Sequence, residues 1–245
     1  YWLWVNPLKG NYESTLRELE GELVLEEDRD FRGLYRVLKG DPSRTRAVKE
    51  GRAVIQDKAS YAVVVALDPK PGELIYDMAS GPGVKVALIM AMTGNGAEVV
   101  AEELSLVRLE KEVNLLKLLN ADLGKVHLVQ GDSRDAVVRR ADKVLLDAPC
   151  SSSGMVVNDP SVLLRLTKER VLEFSGLQRE MLKSALTVAR EVVYSVCSLF
   201  PEEGEEVVKG LKVNPPRFGL RGDLGTRFFP SLHGTQGFFI TKVYS

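Results

Sequence analysis

Glu73-Leu-Ile-Tyr-Asp77-Met-Ala-Ser-Gly81-Pro-Gly83-Val-Lys85-Val-Ala-Leu-Ile-Met-Ala-Met92 joins a short apolar strand, a glycine loop and an apolar helix, which Gly94-Asn95-Gly96 then stops. Strand, glycine turn and helix in that order form the opening unit of a doubly wound α/β sheet. Gly81 and Gly83 permit a tight turn and close backbone approach, and the following helix N-terminus attracts negative charge. The third glycine of a dinucleotide fingerprint is absent, since Val86 stands there, and no G-x-x-x-x-G-K-[ST] loop exists for a nucleoside triphosphate.

Outward from this loop the same alternation continues. Helical spacing covers Asp57–Leu67, Ser105–Leu119 (Ser105 as N-cap) and Lys168–Arg190, and strands are expected at Ala97–Ala101, Val126–Gln130, Lys143–Asp147 and Glu191–Val196. Near-continuous Val, Leu and Ile in these strands means that both sheet faces are covered. The expected fold is therefore α/β, a mostly parallel sheet with helices on each side. Gly237–Tyr244 adds an antiparallel C-terminal edge. Residues 1–42 read as a small α+β unit hinged at Asp41-Pro-Ser, and 43–245 as the main domain. The chain opens Tyr-Trp-Leu-Trp without Met, which leaves room for an upstream segment.

Composition narrows the function classes. With 44% hydrophobic residues the chain can bury a core, and 33 basic against 34 acidic residues give no global charge for nucleic acid or membrane. The longest apolar runs are too short to span a bilayer, and no signal peptide opens the chain. Two cysteines suit a reducing, cytoplasmic setting. Arg32, Arg36, Lys39, Arg44, Arg46, Lys49 and Arg52 stand against only Asp41 and Glu50, a local excess of five charges. By itself that stretch reads as a solvated face; with a nucleic-acid partner it reads as phosphate contacts.

Ligands of such sheets bind at the carboxyl ends of the strands. Glu103 falls 22 residues past Gly81, where an acid holds ribose hydroxyls, and Asp132 follows the next strand. An adenosine-containing ligand needs both acceptors. Cys150 and Cys197 each stand just past a buried strand in Ser-rich loops, which fits reactive chemistry better than two core thiols. Asp147, ahead of Pro149-Cys150, is a candidate acid. His127 and His233 are expected to be structural, and no zinc spacing is present, so no metal is assigned.

Asp147-Ala-Pro-Cys150-Ser, followed by Tyr194-Ser-Val-Cys197-Ser-Leu-Phe-Pro-Glu-Glu, resembles the two-cysteine signature of the NOL1/NOP2/Sun family of RNA cytosine-5 methyltransferases. Leu3–Lys9, Gly51–Ser60 and Arg227–Ile240 are similar to other family segments. The family's methyl-donor loop, D-x-C-A-A-P-G-G-K-T, is matched at Asp77, Pro82, Gly83 and Lys85, with departures at Ala79, Ser80, Gly81, Val84 and Val86. The resemblance implies a Rossmann-like fold using S-adenosylmethionine and acting on tRNA or rRNA. It implies that Cys197 attacks C6 of cytosine and Cys150 assists release. Asp147, with Lys85 as its positive partner, would hold or protonate the N3 edge of the base, offsetting charge that develops as Cys197 adds. The donor would lie on Ala79, Ser80, Gly81, Pro82, Gly83 and Lys85, close to Asp147, with Glu103 on the ribose, Asp132 on the adenine amine and Arg108 bracing Glu103 or the donor. With RNA as substrate the basic stretch becomes a phosphate-binding candidate. The divergent donor loop leaves one alternative, a non-catalytic RNA-binding or assembly protein on the same fold.

Overall fold

The computed structural model describes residues 1–245. The N-terminal unit runs β1 (Trp2–Val5), α1 (Tyr12–Glu22), β2 (Val24–Glu27), β3 (Leu34–Lys39), the single-turn α2 (Arg46–Lys49) and β4 (Ala53–Ile55). Its four strands form an antiparallel sheet in the order β2-β3-β1-β4. Alternation in β1 divides its side chains: Leu3 and Val5 pack with Leu19 of α1, while Trp2 and Trp4 join the core of the larger domain. Two features lie off the expected boundary at residue 42. Asp41 caps only one 3-10 turn, and β4 pairs with β1 through Ala53–Ile55, so the small sheet extends to Ile55.

The larger domain continues with α3 (Lys58–Leu67), β5 (Leu74–Asp77), α4 (Val84–Met92), β6 (Glu98–Glu103), α5 (Leu106–Leu118), β7 (Val126–Gln130), β8 (Lys143–Asp147) and α6 (Lys168–Val188). It closes with β9 (Glu191–Val196), α7 (Glu205–Val208), β10 (Lys212–Asn214), β11 (Leu220–Arg221), β12 (Thr226–Phe228), α8 (Pro230–His233) and β13 (Phe238–Tyr244). The sheet order is β11-β12-β13-β9-β8-β5-β6-β7. Strands β9 to β7 in that order are mutually parallel. β13 is antiparallel to β9 as expected, but it is not the outermost strand, because β12 and β10 share its far edge.

Both faces of this sheet are dry. Leu145 and Val193 pack with α3 and α4 on one side, while Val144, Leu146, Val192 and Tyr194 pack with Met181, Leu182 and Ala185 of α6 on the other. Each such side chain contributes about 1.5–3 kcal/mol of apolar burial. Ser105 precedes α5 as expected, but its side chain makes no capping bond; Glu103 accepts its N–H instead. Hydrogen bonds join the two units and fix the loop before β13. Trp2 Nε1 donates to Gly234 O at 2.9 Å. Asp57 caps α3 at Ala59 N and accepts from Thr235 Oγ1 and Gln236 N of the loop before β13. No helix is long and apolar enough to cross a membrane.

Candidate active site

The loop after β5 is held from below by buried acids. Ser80 N donates to Glu102 O at 2.9 Å, and Ser80 Oγ donates to Glu112 Oε2 of α5 at 2.7 Å. Gly83 adopts φ +95°, and a Cβ there would press on Glu112 Cγ at 2.6 Å. A Cβ on Gly81 would come within 2.6 Å of Glu103 Oε2 and 2.9 Å of Arg108 Cβ, so a side chain there requires one of them to shift. Asp77 accepts from Ala79 N at 3.2 Å, and its Oδ2 has no partner. Burial, with the nearby Glu112 carboxylate, pushes Asp77 up to about 8, against the pull of Lys85. Burial likewise lifts Glu112 to about 7, opposed by the Ser80 hydrogen bond.

Glu103 ends β6 and is buried, accepting from Ser105 N at 2.9 Å and pairing with Arg108 Nη1 at 3.2 Å. Asp132 pairs with Arg134 at 2.6 Å, and hydrogen bonds from Arg134 hold its carboxyl below the usual range. Glu102, one residue earlier, faces the other way and accepts from Tyr76 OH and Ser133 Oγ, stitching β5 to the loop after β7.

Parallel pairing of β8 with β9 aligns Asp147 with Ser195, so the loops that follow begin side by side. That register brings Cys150 Sγ to 3.2 Å from Cys197 Sγ, both free thiols. Lys85 Nζ lies 2.5 Å from Asp147 Oδ2, and Ser195 Oγ donates to Asp147 Oδ1 at 2.6 Å. The hydrogen bond from Cys150 draws the Cys197 thiol below its ordinary value; burial and Asp147 oppose this, while Ser152, 3.8 Å away, and Lys85 reinforce it. The same hydrogen bond, burial and the Glu203 carboxylate push Cys150 well above its ordinary value. Within the pair the two shifts run in opposite directions, Cys197 down and Cys150 up.

One cavity of about 690 Å³ joins these parts. Its wall includes Ala79, Ser80, Gly81, Pro82 and Lys85 of the loop, then Glu103, Arg108, Asp132, Asp147 and both cysteines. Phe174, Leu177 and Met181 of α6 supply an apolar side that the sequence reading did not include. Also missed were Glu112, Arg134 and the lock on the Cys197 loop, where Arg227 donates to Ser198 O at 2.9 Å and pairs with Glu205. Glu112, Arg227 and Glu205 lie on elements separate from what they hold, so no local spacing signals them, whereas Arg134 stands only two residues from Asp132.

The basic stretch is divided by the fold. Arg32, Arg36, Lys39, Arg44, Arg46 and Lys49 are exposed, although Arg44 pairs with Asp41 and Arg46 with Glu50. Arg52 is a correction. It is mostly buried, donating to both carboxylate oxygens of Glu18 at 2.7 and 2.8 Å and to Glu50 at 2.9 Å, which leaves it no fork for a phosphate. His127 pairs with Glu98, and His233 Nδ1 accepts from Phe229 N. No cluster of three or more His, Cys, Asp or Glu is arranged to hold a metal ion.

The family model described as 16S rRNA methyltransferase RsmB/F matches residues 64–244. The tRNA (cytosine(72)-C(5))-methyltransferase of Pyrococcus horikoshii is 33% identical over 216 residues, covering 82% of this chain and 54% of that protein. The 25S rRNA (cytosine-C(5))-methyltransferase nop2 of Schizosaccharomyces pombe is 31% identical over 228 residues, covering 79% and 37% respectively. The chain thus spans roughly a third to a half of the length of these relatives. Among solved structures, NSun6 from Pyrococcus horikoshii with SFG superposes with a TM-score of 0.87 at 26% identity, covering 100% of this chain and 90% of that one. A methyltransferase homolog protein from the same organism gives 0.84 at 28% identity, covering 100% and 86%. The chain belongs to the RsmB/F-type methyltransferases of the NOL1/NOP2/Sun family.

Proposed function

We propose that this chain is the catalytic part of an S-adenosylmethionine-dependent RNA cytosine-5 methyltransferase, with tRNA or rRNA as substrate and a covalent Cys197–C6 adduct as intermediate. The observation that carries it is the pair of free thiols 3.2 Å apart, in the same cavity as the glycine loop and the Lys85–Asp147 pair. The printed activities of the tRNA and rRNA relatives support the substrate class.

The residues present fit the donor. Gly81 leaves a cradle that a Cβ would fill beside Glu103, and the unpartnered Asp77 Oδ2 lies beneath the loop. Ala79–Lys85 and Glu103 would hold it, with Asp132 on the adenine amine. When bound, it supplies an electrophilic methyl group.

The chain's own residues do the rest. Cys197 as thiolate adds to C6 of an unpaired or flipped cytosine, which makes C5 nucleophilic. Asp147, positioned by Lys85 and Ser195, would hold or protonate the N3 edge, offsetting the negative charge that develops as Cys197 adds. Cys150 would pass its proton to the departing Cys197 sulfur and take up the C5 proton in its place, so that the C5–H and C6–S bonds break and the 5,6 double bond returns. Exposed Arg32, Arg36, Lys39, Arg44, Arg46 and Lys49 would meet RNA phosphates. Both thiols must stay reduced, which supports a cytoplasmic setting. Donor titration followed by labelled methyl incorporation into tRNA and rRNA transcripts tests the reading. Label at C5 of cytosine is expected; no donor binding at all would favour the non-catalytic alternative.

A further inference from the structure

Resting on the two-thiol reading, we infer that Glu203 is the positioning residue that sets the cysteine pair. Ser151 and Ser198, the residues immediately after Cys150 and Cys197, both attach to its fully buried side chain. Ser151 donates to it twice, from N to Oε1 at 2.7 Å and from Oγ to Oε2 at 2.5 Å. Ser198 Oγ donates to Oε2 at 2.5 Å, and Gln178 Nε2 of α6 donates to Oε1 at 3.2 Å. One carboxylate therefore ties the loop after β8, the loop after β9 and the covering helix. Its own backbone is fixed as well, since Glu203 O accepts from Tyr194 OH of β9 at 2.6 Å.

Two loops held to one anchor keep a fixed separation, and reactive groups need that kind of support to hold productive geometry. The clamp also has an electrostatic side. Beside Cys197 the charges are Asp147 and Lys85; beside Cys150 the charge is the Glu203 carboxylate, opposed by a backbone hydrogen bond at Ser152. The carboxylate raises the proton affinity of Cys150, which keeps that thiol the donor to Cys197. Neither serine touches the glycine loop, so donor affinity is a separate property.

Alkylation by iodoacetamide, mapped at each cysteine by mass spectrometry across a pH series, reads the pair on the free chain. Cys197 is expected to react at lower pH than Cys150. Glu203→Gln should narrow the gap between the two midpoints by about one pH unit, and should lower methyl transfer about tenfold with donor Kd within about twofold. Ser198→Ala removes one attachment only and should move both readouts the same way by less, which serves if Glu203→Gln does not fold. A melting temperature that falls while the gap and the transfer rate hold would reduce Glu203 to a structural role and overturn the inference. The alkylation arm needs neither RNA nor donor. A native chain that transfers no methyl yet shows a gap dependent on Glu203 would sink the activity and leave the positioning role intact.

Discussion

Lys85 Nζ stands 2.5 Å from Asp147 Oδ2, with the side chains only 17% and 20% exposed. This pair joins the first turn of α4 to the end of β8, and so the glycine loop to the cysteine site. Burial works against the lysine charge, but the Asp147 carboxylate outweighs it and raises Lys85 above its ordinary value. Lys85→Met leaves that carboxylate without its cation and should cost about 3 kcal/mol, the usual loss when one member of a buried pair is removed. The Cys197 alkylation midpoint should rise too, because Asp147 then opposes the thiolate unchecked. A melting curve and midpoint equal to the parent's would detach Lys85 from both roles.

Donor affinity is expected to depend on Glu103 through its acceptors. Glu103→Ala should weaken S-adenosylmethionine binding by about 1–3 kcal/mol in calorimetry, the scale of hydrogen bonds to a charged group. Gly81→Ala should act in the same direction, because its Cβ would sit 2.6 Å from Glu103 Oε2 and 2.9 Å from Arg108 Cβ. Arg108→Ala should do less, since that side chain is 55% exposed and an exposed pair is worth under about 1 kcal/mol. Equal losses at Glu103 and Arg108 would contradict this ranking.

The strands and helices around that loop were legible because both sheet faces are apolar. Val84–Met92, Val126–Gln130, Lys143–Asp147 and Glu191–Val196 have the expected bounds. Ala53-Val-Ile was not legible as β4, because three residues carry no period and their partner Leu3 is some fifty residues away. β10, β11 and β12 fail for the same reason, being two or three residues long in a Gly/Pro-rich stretch. At the site, the sequence marks residues that end strands, such as Glu103, Asp147 and the cysteines. It does not mark what holds them. Ser80 meets Glu112, and Arg52 meets Glu18, only across 32 and 34 residues. Counting charges along the chain therefore placed Arg52 on an open face.

Stability should fall as pH rises through neutrality. The folded chain holds Glu112 at about 7 and Asp77 at about 8, above their unfolded values, so it binds these protons more tightly than the unfolded chain does. Their contribution is complete below about pH 4 and is lost as pH climbs through those folded values. Carboxylates held low by arginine, Glu18 and Glu50 among them, act in a separate window below about pH 4. Glu112→Gln keeps an acceptor for Ser80 and removes the titration, so the melting temperature of this variant should decline less between about pH 6 and pH 9. A decline as steep as the parent's would remove Glu112 as its source.

The basic stretch should separate into two kinds of residue. Arg52→Ala should lower the melting temperature, since it removes the hydrogen bonds that tie Glu18 and Glu50 to one guanidinium. Lys39→Gln with Lys49→Gln should leave melting unchanged and reduce the salt slope of RNA binding by about one unit per lost phosphate contact. An unaltered slope would return these lysines to the solvated surface.

The covalent account stands most directly on which cysteine leaves a protein–RNA adduct in denaturing electrophoresis. Cys150→Ala should attack and methylate and then stall, accumulating an adduct that survives denaturation. Cys197→Ala should form no adduct and transfer no methyl, with donor binding nearly intact. An adduct from Cys197→Ala would mean that Cys150 attacks and that the charge asymmetry of the pair was read in the wrong direction. Methyl transfer retained by both variants, with no adduct from either, would contradict covalent catalysis at this site.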